Sequence, residues 1–298
     1  MPIPDERLGN PPVDLLWILA HPDDESFGSA GTMAWANGAG LRTAYVCATR
    51  GDVGEIRDSH LATRDTLAAV REQELREAMS HLGLGELRIL GFRDSGMENT
   101  SENEHPLALI NQPIEALLTH LVGHIRDLRP DTIITFGPEG IYGHPDHVLM
   151  GKLTTRAVEL AADPSWLPAL HEPWCANALY FASVPRELIL AIACDPAQPL
   201  GEISEKASNN LGSPASTITH WLDVSRWLGA KRQAIIAHRT QIDPDEIMNP
   251  ESQLAQWLHR EQYTRRPLPW DPGMANEDPL TRARDEFGSI SPPAGAIP

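Results

Sequence analysis

"VDLLWILAHPDDESFGSAGT", residues 13 to 32, joins an unbroken apolar run to a knot of ionisable groups. "VDLLWILA" (13–20) is apolar at both strand parities, the pattern of a central parallel strand buried on both faces. Directly after it stand His21, Asp23, Asp24 and Glu25. Removing such groups from water is costly without compensation, so the loop is either a solvated Pro-Asp turn or a site.

Working outward, "GTMAWANGAG" reads as a short helix stopped by Asn37-Gly38, and "LRTAYVCAT" (41–49) as a second strand. Leu67, Val70, Leu75, Ala78, Met79 and Leu82 form the apolar stripe of a helix from about Arg64 to Leu82. "LRILGF" (87–92) is a third strand. Helical spacing from Ile114 through Leu117, Leu118, Leu121 and Ile125 to Leu128 stops at Pro130. "DTIITF" (131–136) is a fourth strand, "GPEGIYGHPDH" leads into a helix from about Val148 to Ala161, and "NALYFAS" (177–183) is a fifth strand. This alternation predicts an α/β fold, a mostly parallel sheet with helices on both faces, followed by a less regular C-terminal part. The expected division is a catalytic core over 1–185, a part at 186–266 that packs on it and helps shape the pocket, and a Pro-rich tail at 267–298. In the second part "STITHWLDVS" reads as a strand, and "RWLGAKRQAIIAHRTQI" and "ESQLAQWLHREQYTRR" read as helices. Seven prolines in the tail predict no helix or central strand there.

The 298 residues, 41% of them hydrophobic, suffice for one large core. A net charge of −17 repels phosphate backbones and anionic headgroups, which argues against nucleic acid and membrane partners. Cys47, Cys175 and Cys194 are odd in number and lack CxxC spacing, so neither a disulfide framework nor a zinc knuckle is expected. Cys47 reads as a small buried hydrophobe. The opening "MPIPDERLGNPP" has neither a basic nor an apolar leader region, and the cytoplasm is the expected location.

Ligands in open α/β sheets bind at the carboxyl ends of strands, where the strand order switches. "YGHPDH" (142–147) follows the fourth strand as the acidic loop follows the first, and both carry His-Pro-Asp. A catalytic zinc takes three nitrogen or oxygen ligands and keeps one position open. His21 and Asp24 can turn inward from one tight loop, and His147 supplies a third ligand. One of Asp23 and Asp24 is then left beside the ion as a general base, and spacing alone leaves open which. Ferrous iron suits the same donors. His120 and His124 lack the glutamate of HExxH and flank the apolar stripe, so they read as a solvated helix face. Glu25 is expected to buttress its loop through backbone hydrogen bonds, and Arg50 and Arg93 read as salt-bridge partners.

Together, "AHPDDE" and "GHPDH" resemble the signature of the PIG-L/LmbE-like zinc-dependent N-deacetylases, which act on N-acetylglucosamine-containing small molecules with a Rossmann-like fold. "TRGDVGE" (49–55), the Arg71, Glu74 and Leu75 pattern, "RDSGM" (93–97) and "AHRTQI" (237–242) extend the likeness. "RDSGM" and "HRTQI" are most similar to the mycothiol branch, which comprises the N-acetylglucosaminyl-inositol deacetylase and the mycothiol conjugate amidase. The resemblance implies His21, Asp24 and His147 as ligands of one zinc per chain, and Asp23 as the base. It implies that His144 stabilises the oxyanion and protonates the leaving amine with Asp146 orienting it, and that Tyr142 polarises the carbonyl. Arg71 and Asp94 would bind sugar hydroxyls; His238, which after the apolar run "AIIA" reads by itself equally as a capping or packed histidine, would by the resemblance lie near the sugar or its thiol-bearing arm. The implied reaction is hydrolysis of the N-acetyl group of a small aminosugar glycoside. An amidase for a larger acyl group, a non-catalytic sugar- or nucleotide-binding module and a two-metal phosphoesterase are the competing readings. Homo-oligomerisation is left open.

Overall fold

In the computed structural model, which describes residues 11–193, 211–270 and 278–287, "LLWIL" forms strand β1 (Leu15–Leu19) with every side chain buried. Burying five large apolar side chains on both faces, at roughly 1.5–3 kcal/mol each, fixes this strand at the centre of the sheet. β2 (Thr43–Thr49) pairs with it in parallel on one side and β4 (Thr132–Phe136) on the other. β3 (Glu86–Phe92) adds outside β2, and β5 (Ala178–Ser183) outside β4, both parallel. β7 (Arg260–Arg266) and β6 (His220–Asp223) complete the order β3-β2-β1-β4-β5-β7-β6 in antiparallel pairings. The expected mostly parallel α/β sheet is therefore present.

The chain runs outward from β1 to β3, then returns to β4 on the opposite side of β1. That reversal makes the gap between the carboxyl ends of β1 and β4 the switch point. After β1 come α1 (Asp24–Gly28) and α2 (Ala30–Gly38); α3 (Leu67–Leu82) precedes β3, and α4 (Ile114–Leu128) precedes β4. A single turn, α5 (Gly140–Gly143), and the long α6 (Pro145–Ala162) lie between β4 and β5, and α7 (Arg186–Ala193) follows β5. α8 (Leu228–Ala237) follows β6. Right-handed crossovers put α2 and α3 on one face, with α8 packed across both, while α4 packs on α6 on the other.

Two expectations fail. "REQYTRR" is strand β7, and only Gln253–Trp257 of its segment is helical. The polar letters hide a strand that is buried because its charges are compensated. Glu261, 1% exposed, accepts from Gly31 N (2.7 Å), Thr32 N (2.8 Å) and Lys231 Nζ (2.7 Å). The tail also contains a helix, Pro279–Phe287. Its proline takes the first helical position, where no N–H is needed. The Asp278 carboxylate accepts from Leu280 N and Thr281 N, and Phe287 packs against Trp35 and Trp227. Residues 271–277 and 288–298 of that tail, and Cys194, lie outside the described residues. Cys47 is buried in β2, as expected. Among the described residues no helix is long and apolar enough to cross a membrane.

Candidate metal centre

The loop leaving β1 is tied to its neighbour strand. From β2, Thr49 Oγ1 donates to Ala20 O at 3.0 Å and Tyr45 OH to His21 O at 3.2 Å. Asp24 opens α1, and its Oδ2 accepts from the Ala20 and His21 N–H groups at 3.1 and 2.6 Å. The carboxylate thus closes the turn on itself and fixes His21 beside it. Across the switch point, β4 ends at Phe136 and the chain turns through Gly140. Gly140 has φ +61°, and a Cβ there would stand 2.8 Å from Val148 Cγ2 and 2.9 Å from Val148 N, so only glycine fits. His144 then caps α6 and Pro145 occupies its first position. The helix begins three residues earlier than its apolar pattern suggests, which places Asp146 and His147 rigidly on its first turn.

Both inward-facing imidazoles have one nitrogen committed to an oxygen. His147 Nδ1 lies 3.2 Å from Gly140 O, and His21 Nε2 lies 3.1 Å from Asp146 Oδ2. In the neutral rings, the form in which a cation would replace the extra proton that His21 attracts, those acceptors take the N–H and the opposite nitrogens carry lone pairs. These are His21 Nδ1 and His147 Nε2, 3.0 Å apart. Asp24 Oδ1 is 3.1 Å from His147 Nε2, and Asp24 Oδ2 is 3.6 Å from His21 Nδ1. Ligands about 2.0–2.2 Å from one ion stand roughly 3–3.6 Å apart, so the donor set and its spacing fit a single cation. His147 is also locked by stacking on Phe136, ring centroids 4.0 Å apart and planes 6° apart.

The charge balance points the same way. Burial opposes protonation of His21, but Asp94, Asp146 and Asp24 outweigh it and hold its pKa well above the ordinary histidine range. Burial likewise opposes ionisation of Asp24, yet His147 and His21 keep its pKa well below the usual carboxylate range. This buried cluster therefore attracts positive charge.

Asp23 points elsewhere. Its Oδ2 accepts from Arg71 Nη2 at 2.9 Å, and its side chain stays 22% exposed. Burial raises its pKa to about 6, against the pull of Arg71. Tyr142 stands over His147, ring centroids 5.0 Å apart, with burial and Asp24 pushing its phenol pKa up. His144 is 6% exposed, with its Nδ1 accepting from Asp146 N at 3.2 Å and its Nε2 3.8 Å from Asp94 Oδ1. Burial, His21 and His147 lower its pKa to about 2, so the neutral ring with Nε2–H prevails.

Three expected roles meet a different geometry. The Asp146 carboxylate does not orient His144: it turns to His21 and to Ser95 N, and only its backbone N–H reaches His144. The first turn of α6 projects residues 144 and 146 in different directions. Arg71, 3% exposed, donates to Gly51 O, Pro22 O and Asp23, so its guanidinium serves the loop rather than a sugar. His238 is wholly buried, with Nε2 2.7 Å from Glu25 Oε1, because the chain leaving α8 packs under α1. Asp94, 3% exposed, faces His21 and His144. Glu25 does hold the loop, accepting from Asp23 N at 3.0 Å. Arg50 pairs with Glu72, and Arg93 with Asp52 and Glu102. His120 is exposed and packs edge-on against Phe92, and His124 contacts Arg88, both far from any ligand geometry. Sequence periodicity gave no sign of Tyr45, Thr49, Ser95 or Gly140, whose contributions arise only from contacts between elements.

The profile of the family described as "PIG-L: GlcNAc-PI de-N-acetylase" matches residues 16–158. A 1D-myo-inositol 2-acetamido-2-deoxy-alpha-D-glucopyranoside deacetylase of Streptomyces scabiei (strain 87.22) is 37% identical over 262 residues, covering 82% of this chain and 81% of the relative. This chain belongs to the PIG-L family. A Thermomonospora curvata protein of the same name is 38% identical over 240 residues, covering 76% of this chain and 80% of the relative. The N,N'-diacetylchitobiose deacetylase of Pyrococcus horikoshii shares the fold at a TM-score of 0.62 and 20% identity, over 88% of each chain. The PIG-L match spans both His-Pro-Asp loops and stops before β5, so β7, α8 and His238 lie outside the matched segment.

Proposed function

We propose that this chain is a metal-dependent N-deacetylase that hydrolyses the acetamide of an N-acetylglucosaminyl-inositol-like glycoside. One observation carries the reading. Two imidazole nitrogens and the Asp24 carboxylate converge within 3.6 Å, while the next carboxylate along the loop, Asp23, is no part of that set, feels the charges of Asp24 and His21, and keeps an exposed edge. The names of the relatives at 37% and 38% identity support the substrate class.

His21, Asp24 and His147 would hold the cation, with zinc favoured by the compact nitrogen-oxygen set and ferrous iron as the alternative. When bound, it supplies Lewis-acid chemistry, acidifying water and polarising the amide carbonyl. Asp23, restrained by Arg71, takes the proton from the attacking water. Neutral His144 offers Nε2–H, and Tyr142 its hydroxyl, to the oxygen on which charge develops. The leaving nitrogen needs a proton, and Asp23, with its pKa raised to about 6, can return the one it took. His144, the donor that the resemblance implies, is the second candidate for this step.

A cavity of about 380 Å3 is lined by Asp52, Val53, Arg64, Asp65, Arg93 and Glu102. Asp52 accepts from Asp94 N at 3.0 Å, so the cavity adjoins the site. Its mixed charges suit a neutral polyol better than a phosphorylated group. A cytoplasmic location accompanies this reading, supported by the free thiols of Cys47 and Cys175.

The test is amine release by purified protein from N-acetylglucosaminyl-inositol, N-acetylglucosamine and chitobiose, before and after chelation and after zinc or iron is restored. Release from the inositol glycoside, lost on chelation and regained with metal, is expected. Chelator-insensitive release, or none from any acetamido sugar, would overturn the reading.

A further inference from the structure

Asp23 carries its carboxylate on a backbone with φ 135° and ψ −25°, a region that a residue with a Cβ enters only where its surroundings enforce it. The enforcing contacts fall on one peptide unit. Pro22 O accepts from Arg71 Nη2 at 2.6 Å, and Asp23 N donates to Glu25 Oε2 at 3.0 Å. The Pro22–Asp23 peptide is therefore gripped at both of its polar atoms. Glu25 is itself immobilised, since its Oε1 accepts from Ser26 Oγ and lies 2.7 Å from His238 Nε2. Glu25 and His238 are both fully buried. The segment carrying His238 is pinned in turn to α3, the helix that bears Arg71. Thr240 N donates to Glu74 Oε1 at 2.8 Å, and Thr240 Oγ1 to Glu74 Oε2 at 2.6 Å.

We propose that Glu25 and His238 are positioning residues that hold the Pro22–Asp23 peptide in its strained orientation and so aim the Asp23 carboxylate at the reacting water. This rests on the hydrolase reading of Asp23. A histidine that merely fills space would end its contacts in packing. This one ends a hydrogen-bond chain on the single strained peptide that bears the free carboxylate. The chain also assigns a task to "HRT" (238–240), which lies far along the sequence from the acidic loop and outside the residues that match the family profile.

The test compares wild type, His238→Leu, His238→Gln and Thr240→Val for kcat, KM, bound metal, thermal unfolding and hydrogen exchange at the Asp23 amide. A leucine cannot donate to Glu25, whereas a glutamine amide near the Nε2 position can. Misaiming a reacting group by about an ångström costs roughly 100-fold in rate. His238→Leu should therefore lose about 100-fold in kcat, with KM and metal content within about twofold and faster exchange at Asp23. His238→Gln should keep most of the wild-type kcat and its slow exchange. Should His238→Leu fail to fold, Thr240→Val, which keeps the backbone donor to Glu74 but loses the hydroxyl, should give the same exchange change and a smaller loss of kcat. Unchanged exchange at Asp23 with unchanged kcat in the folded variants would overturn the proposal, as would equal losses in kcat for His238→Leu and His238→Gln. An inactive wild type would overturn the hydrolase reading alone, since amide exchange still reports whether His238 holds the peptide.

Discussion

His-Pro-Asp occurs twice, after β1 and after β4, and the two copies are held by opposite means. The copy after β4 is the start of an 18-residue helix: His144 caps it, Pro145 takes the first position, and His147 sits one residue past the motif on the same turn. Its backbone takes its shape from that helix, while the Asp146 carboxylate reaches out to Ser95 N and His21. The copy after β1 precedes a helix of only five residues and contains the strained Asp23. Beyond the local bonds of Asp24 and Glu25, its shape depends on outside contacts, through Tyr45 and Thr49 on β2, Arg71 on α3 and His238 after α8. A short motif therefore fixes residue types but not the scaffold that gives them direction. The helix-borne copy can present ligands rigidly, while the externally held copy can set a carboxylate in a conformation that no regular element permits.

Substitutions that separate reacting groups from orienting ones test this contrast most strongly. Asp23→Asn should lower kcat by about 10²–10⁴-fold with metal content unchanged, measured by amine release and elemental analysis. Loss of the metal along with the rate would make Asp23 a ligand and erase the distinction between the loops. In the second copy, Asp146→Asn acts through His21 and should weaken metal affinity by about 10–100-fold, while kcat at saturating metal stays near wild type. A competitive chelator titration reads the difference, and a pure kcat effect would restore the expected pairing of Asp146 with His144.

Away from both loops, His220 in β6 provides a control without ligand geometry. Burial and Arg284 depress its pKa to about 4. The unfolded chain binds that proton near pH 6.5, so it holds more protons than the folded chain between pH 6.5 and 4. Stability should fall across that window as pH drops, by at most about 3 kcal/mol from this group. Unfolding melts at pH 7.5 and 5 should show a smaller difference in His220→Asn, and an unchanged difference would show that His220 is not the source of the acid sensitivity. The smallest effect concerns backbone freedom. Gly140→Ala adds a Cβ at positive φ against Val148 and should cost about 1–3 kcal/mol, read as a lower melting temperature.

The strands and helices of the first 185 residues were legible because their apolar spacing is regular, as in "LLWIL" or Ile114 to Leu128. β7 was not, since the buried Glu261 and Arg265 are compensated by Lys231 and Asp278 and the strand carries almost no apolar residue, which leaves no alternation to read. Prolines concealed the helix at Pro279–Phe287, because a residue that breaks a helix inside it is tolerated in its first turn. At the site, spacing and the strand ends that carry them brought together His21, His147 and one of Asp23 and Asp24, and the resemblance, not the spacing, chose Asp24. The partners of Asp146, Arg71 and His238 could not be read, since nothing in one residue's neighbours in sequence says which buried acceptor it will meet.

By itself, then, the sequence determined the inventory: which strands would be central, which two loops would share a sheet edge, and which acids and imidazoles they would carry there. Hydrophobic periodicity and the topology of parallel sheets suffice for that, because both act along the chain. Tertiary structure decided the directions, from the tautomers of His21 and His147 to the gripped peptide of Asp23. Those depend on hydrogen bonds between segments up to 213 positions apart, and a buried polar group takes whichever partner the packing brings within 3 Å or so.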